Sequence, residues 1–354
     1  MITYRWQNSV YLQDEEIVEF YKSKEERSIL YILGKGFDPR MCEGLKLVSE
    51  LSSNMKVCLL TYEEGIKSSS HKYDSLIDDN YSELFDIISN IEELKIDVNL
   101  SRLPIFLKKN MTKEFFSGYD RIIIDISSLP QSISFNLIKY IMNMCKTDLK
   151  IDIIACENSA FDEGIIPTGL SEKANYLNGF NMFSMEMESD DAITIWLPLL
   201  GKNRNEELEK IYQFISPNEI CPVLPFPSKN PRKSDEILCE VGELLFSTFN
   251  VDKNNILYIA ENNIIHTYQR LCSTVEYYNK AIKIIKKTKF IFSIGSSKLI
   301  GIGALLANLE ISNNNITTSF SLVENDGYLF DIKSYKQENN NVFCLCLNDS
   351  VFDW

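Results

Sequence analysis

Residues Lys289–Leu309, KFIFSIGSSKLIGIGALLANL, decide how this chain is read. Phe290 to Ile294 is a short apolar run, Gly295-Ser296-Ser297-Lys298 is a small polar turn, and Leu299 to Leu309 is an apolar segment of helical length. That succession predicts a buried strand, a tight loop and a packed helix. Such a loop aims backbone N–H groups and the positive end of the helix at one spot, which suits a phosphate or another anion. On its own such a succession with Gly and Ser is usually only a strand-to-helix turn. A second copy raises its weight: Arg121 to Ile141, RIIIDISSLPQSISFNLIKYI, has the same layout, with Asp125-Ile126-Ser127-Ser128-Leu129-Pro130 in place of Ser293-Ile294-Gly295-Ser296-Ser297-Lys298.

Outward from these two stretches the chain alternates apolar runs with helical patterns. Residues 1–28 read as an aromatic, acidic arm ending in a short amphipathic helix. Strands are expected at Ser28–Leu33, Lys56–Thr61, Ile122–Ile126 and Lys150–Cys156, with helices near 41–51, 74–95 and 103–117 and a last apolar run at Ala192–Leu200. The pattern then restarts with Glu219–Pro227, Asn255–Ala260, the stretch already quoted, Thr318–Val323 and Val342–Leu347, with helices near 234–249 and 265–286. Apolar strands alternating with helices predict an α/β fold with mainly parallel sheets covered on both faces.

The two series match at strand ends. Asp38-Pro39-Arg40 is set against Asn230-Pro231-Arg232, Ser127-Ser128 against Ser296-Ser297, and Glu157-Asn158 against Glu324-Asn325. We therefore expect an internal duplication: an arm at 1–28, a first half at 29–205 and a second at 206–354, in pseudo-twofold arrangement. Ligands of parallel sheets gather at the carboxyl ends of the strands. Two such halves would pool their loops in one cleft.

The chain has 354 residues with 45% hydrophobic and 24% charged, an ordinary globular composition. No apolar run approaches the roughly 20 residues that cross a bilayer, and the N-terminus lacks the basic-then-apolar layout of a signal peptide, so a cytoplasmic location is expected. The formal net charge of −14 weighs against duplex nucleic acid and anionic membrane as partners. Nine cysteines, mostly within apolar runs and without a CxxC pair, read as buried reduced thiols, and two histidines cannot build a histidine-rich metal site. No metal or cofactor is expected. Gly34-Lys35-Gly36-Phe37 is neither a complete GxGxxG nor a Walker motif, so a standard nicotinamide or ATP site is poorly supported.

Candidate ligand-binding residues all lie at predicted strand ends. Lys35, Arg40, Arg232 and Lys298 suit phosphates, the two arginines bidentately, and Lys298 is a cation at a helix start, where the dipole opposes it. Ser127, Ser128, Ser296 and Ser297 lie in the cradle loops. Glu157, Glu261 and Glu324 each precede Asn and suit ribose hydroxyls. A buried Glu63, Glu157 or Glu261 is alternatively a general acid or base, although Glu-Asn also simply favours turns. His266 reads first as structural and second as an acid or base near neutral pH.

At Ile124–Pro130 and Ser293–Leu299 the sequence resembles the CRISPR-associated Rossmann-like (CARF) domains and the related SAVED-type tandem domains of nucleotide-signalling defence. That resemblance implies two Rossmann-like halves whose cleft binds a nucleotide-type ligand, a cyclic oligonucleotide included, and a sensor that passes its output to another protein. Leu129-Pro130 departs from the pattern where the second copy has Lys298, so the two loops are not expected to grip a symmetric ligand equally. Two other expectations stand beside this one: a nucleoside- or nucleotide-cleaving hydrolase, and a non-catalytic assembly subunit.

Overall fold

The computed structural model describes residues 2, 4–24, 28–51, 54–62, 73–144, 149–180, 192–295 and 297–350. In chain order the strands are β1 (Ser9–Gln13), β2 (Ser28–Gly34), β3 (Asn54–Tyr62), β4 (Ile91–Ile96), β5 (Arg121–Asp125) and β6 (Lys150–Glu157). There follow β7 (Ile166–Thr168), β8 (Asn175–Tyr176), β9 (Ala192–Pro198), β10 (Glu219–Ile220), β11 (Val223–Pro225) and β12 (Leu257–Ile259). The last are β13 (Lys287–Ser293), β14 (Thr317–Leu322), β15 (Gly327–Leu329) and β16 (Asn341–Ser350).

Contacts divide the chain into two units, one of residues 8–161 and 332–354, the other of 1–7 and 162–331. The boundary drawn from sequence at 205/206 lies elsewhere, and two strands explain the difference. β9 pairs in parallel with β13 along its full length, so the apolar run at 192–200 belongs to the second unit. β16 pairs antiparallel with β6 in the first unit, so the chain returns to its starting body.

In the first unit the sheet runs β1-β16-β6-β5-β2-β3-β4. Its five parallel strands are β2 to β6, so numbered from β2 as 1 they stand in the order 3-2-1-4-5. The second unit repeats that order. β12 pairs with β11, the parallel bridge Leu199↔Val223 carries β11 to the end of β9, and β9, β13 and β14 follow in parallel. With β9 as 1, its strands again read 3-2-1-4-5, and each parallel set is followed beyond strand 5 by an antiparallel strand, β16 or β8. This order reverses direction between strands 1 and 4, the switch point where such sheets hold ligands.

Strand sequences fit their places. Tyr31, Ile32, Ile123, Ile124, Phe290 and Phe292 are fully buried, as central strands covered on both faces require. β4, IEELKI, lies on an edge, and its charged residues are exposed, with Glu92 paired to Lys56 at 2.5 Å. An ionic cluster ties β16 down: the fully buried Arg121 donates to both Asp152 oxygens at 2.8 and 2.6 Å and to Asp349 at 3.0 Å. Tyr21 also donates to Asp152. Cys344 and Cys346 complete, with Asp152, a triad close enough for a metal ion, but Arg121 already occupies both carboxylate oxygens.

Candidate functional site

The switch point of the first unit lies between the loops after β2 and β5, and side chains of the unit fill it. Ser127 is buried: its N–H donates to Asp125 Oδ1 and its Oγ accepts from the Cys156 N–H, both at 2.8 Å. Ser128 Oγ donates to the Gly34 carbonyl at 2.6 Å, and the Ser128 carbonyl accepts from Tyr62 at 2.9 Å. Leu129 lies directly against Gly34, where a Cβ would come within 2.4 Å of its Cδ2. Asn80 bridges the Gly36 and Asp38 carbonyls at 2.9 and 2.8 Å.

Arg40 faces inward here. It is 1% exposed, donates bidentately to Asp38 at 2.8 and 2.7 Å, and sits over the Phe161 ring. Lys35 is half-buried, its ammonium 3.9 Å from the Tyr81 ring centre. Glu157 is buried at the end of β6 opposite Asn341 of β16. Asn158 accepts from the Phe161 N–H and donates to Lys336 and Asn340, so it fastens the returning C-terminal segment.

The second unit's switch point lies between the loops after β9 and β13. Gly295 approaches strand 1 so closely that a Cβ there would meet the Leu199 carbonyl at 2.9 Å and Arg204 Cγ at 4.0 Å. Ser297 caps the helix Lys298–Asn313, accepting from the Ile300 N–H at 3.3 Å, and Lys298 is half-buried at the first helical position. Ser296 and Glu63 lie outside the described residues, as does His71. Arg204 is the N-cap residue at the start of the helix Asn205–Ile215, and its Nη1 donates to both Glu207 carboxylate oxygens at 3.0 Å.

Along the same rim an alternating ion-pair chain joins the loops of strands 1, 2 and 3. Lys202 contacts Glu163 at 2.7 Å and Glu236 at 2.5 Å, while Lys233 contacts Glu163 at 3.8 Å and binds Glu261 through Oε1. Glu261 is 2% exposed, and its Oε2 has no hydrogen-bond partner among the described residues. Its neighbour His266 accepts the Ala260 N–H on Nδ1 at 3.1 Å, and burial together with Arg270 holds its pKa below the usual value. Arg232 and Glu324 are both exposed.

Topology sorts the matched motifs. Ser127-Ser128 and Ser297 follow strand 4 of their units, and Glu157-Asn158 and Glu324-Asn325 follow strand 5. Asp38-Pro39-Arg40 follows strand 1, whereas Asn230-Pro231-Arg232 follows strand 2, so these two are not equivalent. The residue placed like Arg40 is Arg204. Sequence reading missed it, with Lys202 and Lys233, because Ala192–Leu200 was read as the end of one half instead of the start of the next.

No family model matches the sequence. No curated protein matches it either. Among solved structures, a Type III CRISPR defence DNA nuclease activated by cyclic oligoadenylate aligns over 88% of this chain and 69% of its own, at TM-score 0.50 and 10% identity. At that identity the likeness is one of fold. Two further matches, a universal stress protein from Pseudomonas aeruginosa UCBPP-PA14 (9% identity, 87% and 95% coverage, TM-score 0.23) and PKMT2 from Rickettsia typhi (10%, 94% and 51%, 0.22), carry no argument.

Proposed function

We propose that this protein binds a nucleotide-type ligand, with cyclic oligonucleotides as the leading class, and acts as a sensor or accessory subunit in antiviral defence. The observation that carries the reading is the contrast between the two switch points. The first is filled by Leu129, Ser128 and Tyr62. The second brings Gly295, Ser297, Lys298 and Arg204 to one rim. A cation at a helix start is opposed by the dipole, and an anion bound there is attracted by both and offsets that repulsion. In this reading Lys298, Arg204 and the loop N–H groups hold phosphate, and Glu324 meets sugar hydroxyls. The fold likeness to a nuclease whose activator is cyclic oligoadenylate supports that ligand class. A thermal-shift screen with linear and cyclic oligonucleotides tests it: stabilisation lost in Lys298→Ala is expected, and no shift with any of them counts against it.

One observation favours a second reading, a nucleotide-cleaving enzyme. Glu261 keeps a buried carboxylate oxygen without a hydrogen-bond partner among the described residues beside Lys233, an arrangement suited to proton transfer once a substrate opens the rim. Turnover that Glu261→Gln abolishes while binding survives would select it.

A further inference from the structure

The three most exposed large apolar side chains among the described residues are Ile284 at 85%, Ile285 at 79% and Tyr277 at 74%. All three fall in one short stretch, the end of the helix Ile264–Ile282 and the turn that leads into β13. The turn is ordered: Lys283 N–H donates to the Asn279 carbonyl at 2.9 Å, and Ile285 and Lys286 donate to the Ile282 carbonyl at 2.8 and 3.1 Å. Residues 277–289 also carry five lysines, Lys280, Lys283, Lys286, Lys287 and Lys289, and no carboxylate, in a chain of net charge −14. Lys280 pairs with Glu276 at 2.9 Å, and Lys283, Lys286 and Lys287 are exposed.

We propose that this tip docks on an anionic phospholipid surface, with Ile284 and Ile285 inserted below the headgroups, the lysines at headgroup level and Tyr277 at the boundary. Two isoleucines on a protruding turn gain nothing from a phosphate backbone, which disfavours nucleic acid. An isologous contact with a second copy sets lysines against lysines. A lipid surface accepts both features at once: apolar side chains enter the acyl region while each lysine near the surface adds attraction. The acidic remainder of the chain opposes this weakly, because charges beyond roughly 8 Å are screened at physiological salt. Among the described residues no helix is long and apolar enough to cross a membrane, and the proposed contact is a peripheral one. It also lies at the opposite end of β13 from Gly295–Lys298, roughly 20 Å away by strand rise. Ligand and membrane therefore engage separate ends of one strand.

Co-sedimentation of the full chain with phosphatidylcholine vesicles, with and without about 30% phosphatidylglycerol, tests the proposal. The protein is expected to pellet with the anionic vesicles only and to be released at about 1 M salt. Ile284→Ser with Ile285→Ser, and separately Lys283→Gln with Lys286→Gln, each lower partitioning by about tenfold or more without changing the melting temperature, because these side chains are exposed. Equal pelleting with neutral and anionic vesicles, or none with either, overturns it. So does undiminished binding by the isoleucine variant, retention of a single-stranded oligonucleotide that depends on the same lysines, or a concentration-dependent dimer that the isoleucine variant abolishes.

Discussion

Substituting Gly34 by alanine tests whether the first switch point is packed shut. The new Cβ would lie 2.4 Å from Leu129 Cδ2 and 2.9 Å from Leu129 Cγ, both far inside van der Waals contact. Leu129 is 2% exposed, so it has little room to retreat. Overpacking of this kind costs about 1–3 kcal/mol. Leu129→Ala alone removes a buried side chain and costs about 2–5 kcal/mol. In the double variant the clash vanishes with the leucine branches, so the pair should cost no more than Leu129→Ala by itself. The coupling energy is then about 1–3 kcal/mol in the favourable direction. Urea denaturation of the four proteins, followed by circular dichroism, measures it. Strict additivity, or a neutral Gly34→Ala, would mean that Leu129 does not seal the loop after β2, and the contrast between the two units would lose its basis.

Other consequences can be checked on the same preparations. Lys233→Met leaves the buried Glu261 carboxylate without its nearest cation and should cost about 3–5 kcal/mol by denaturation, with Glu261→Gln in the same background restoring much of it; an unchanged midpoint in Lys233→Met would refute the pairing. Burial pushes the thiols of Cys42, Cys58 and Cys221 each up to about 12. Because unfolded thiols ionise near 8.5, the unfolded state binds fewer protons above that pH, so stability should fall between about pH 9 and 12 by up to about 1.4 kcal/mol per unit for each thiol. A flat alkaline limb would contradict that burial. Arg40→Ala, which strips Asp38 of its bidentate partner, should lower stability yet leave ligand affinity within about threefold, and a larger loss of affinity would move the site to the first unit.

Much of this architecture was legible in the chain, for identifiable reasons. The central strands announce themselves because burial on both faces demands unbroken runs such as ILYIL and IIID, and the predicted strands at 28–33, 56–61, 122–126 and 150–156 fall on β2, β3, β5 and β6. β4 was hidden inside an expected helix over 74–95, because an edge strand of Ile, Glu, Leu and Lys carries helix formers and one exposed face. Where the halves divide was not legible either. Local pattern shows that Ala192–Pro198 and Asn341–Ser350 are strands, but pairing across more than 90 residues decides which sheet takes them. The same long-range choice made Arg40 and Arg232 look equivalent when topology sets Arg40 beside Arg204. The burial of the Ser127 hydroxyl depends on the Cys156 N–H, which only the adjacent strand supplies.

Isothermal titration of the full chain with cyclic oligoadenylates, repeated on Lys298→Ala and Arg204→Ala, bears most directly on ligand binding at the Gly295–Lys298 rim. Saturable binding is expected, with each substitution weakening it by about tenfold or more and, at 100 times the dissociation constant, a gain of about 2.7 kcal/mol in unfolding free energy. Absence of heat with every nucleotide tried, or full affinity retained in both variants, would contradict it.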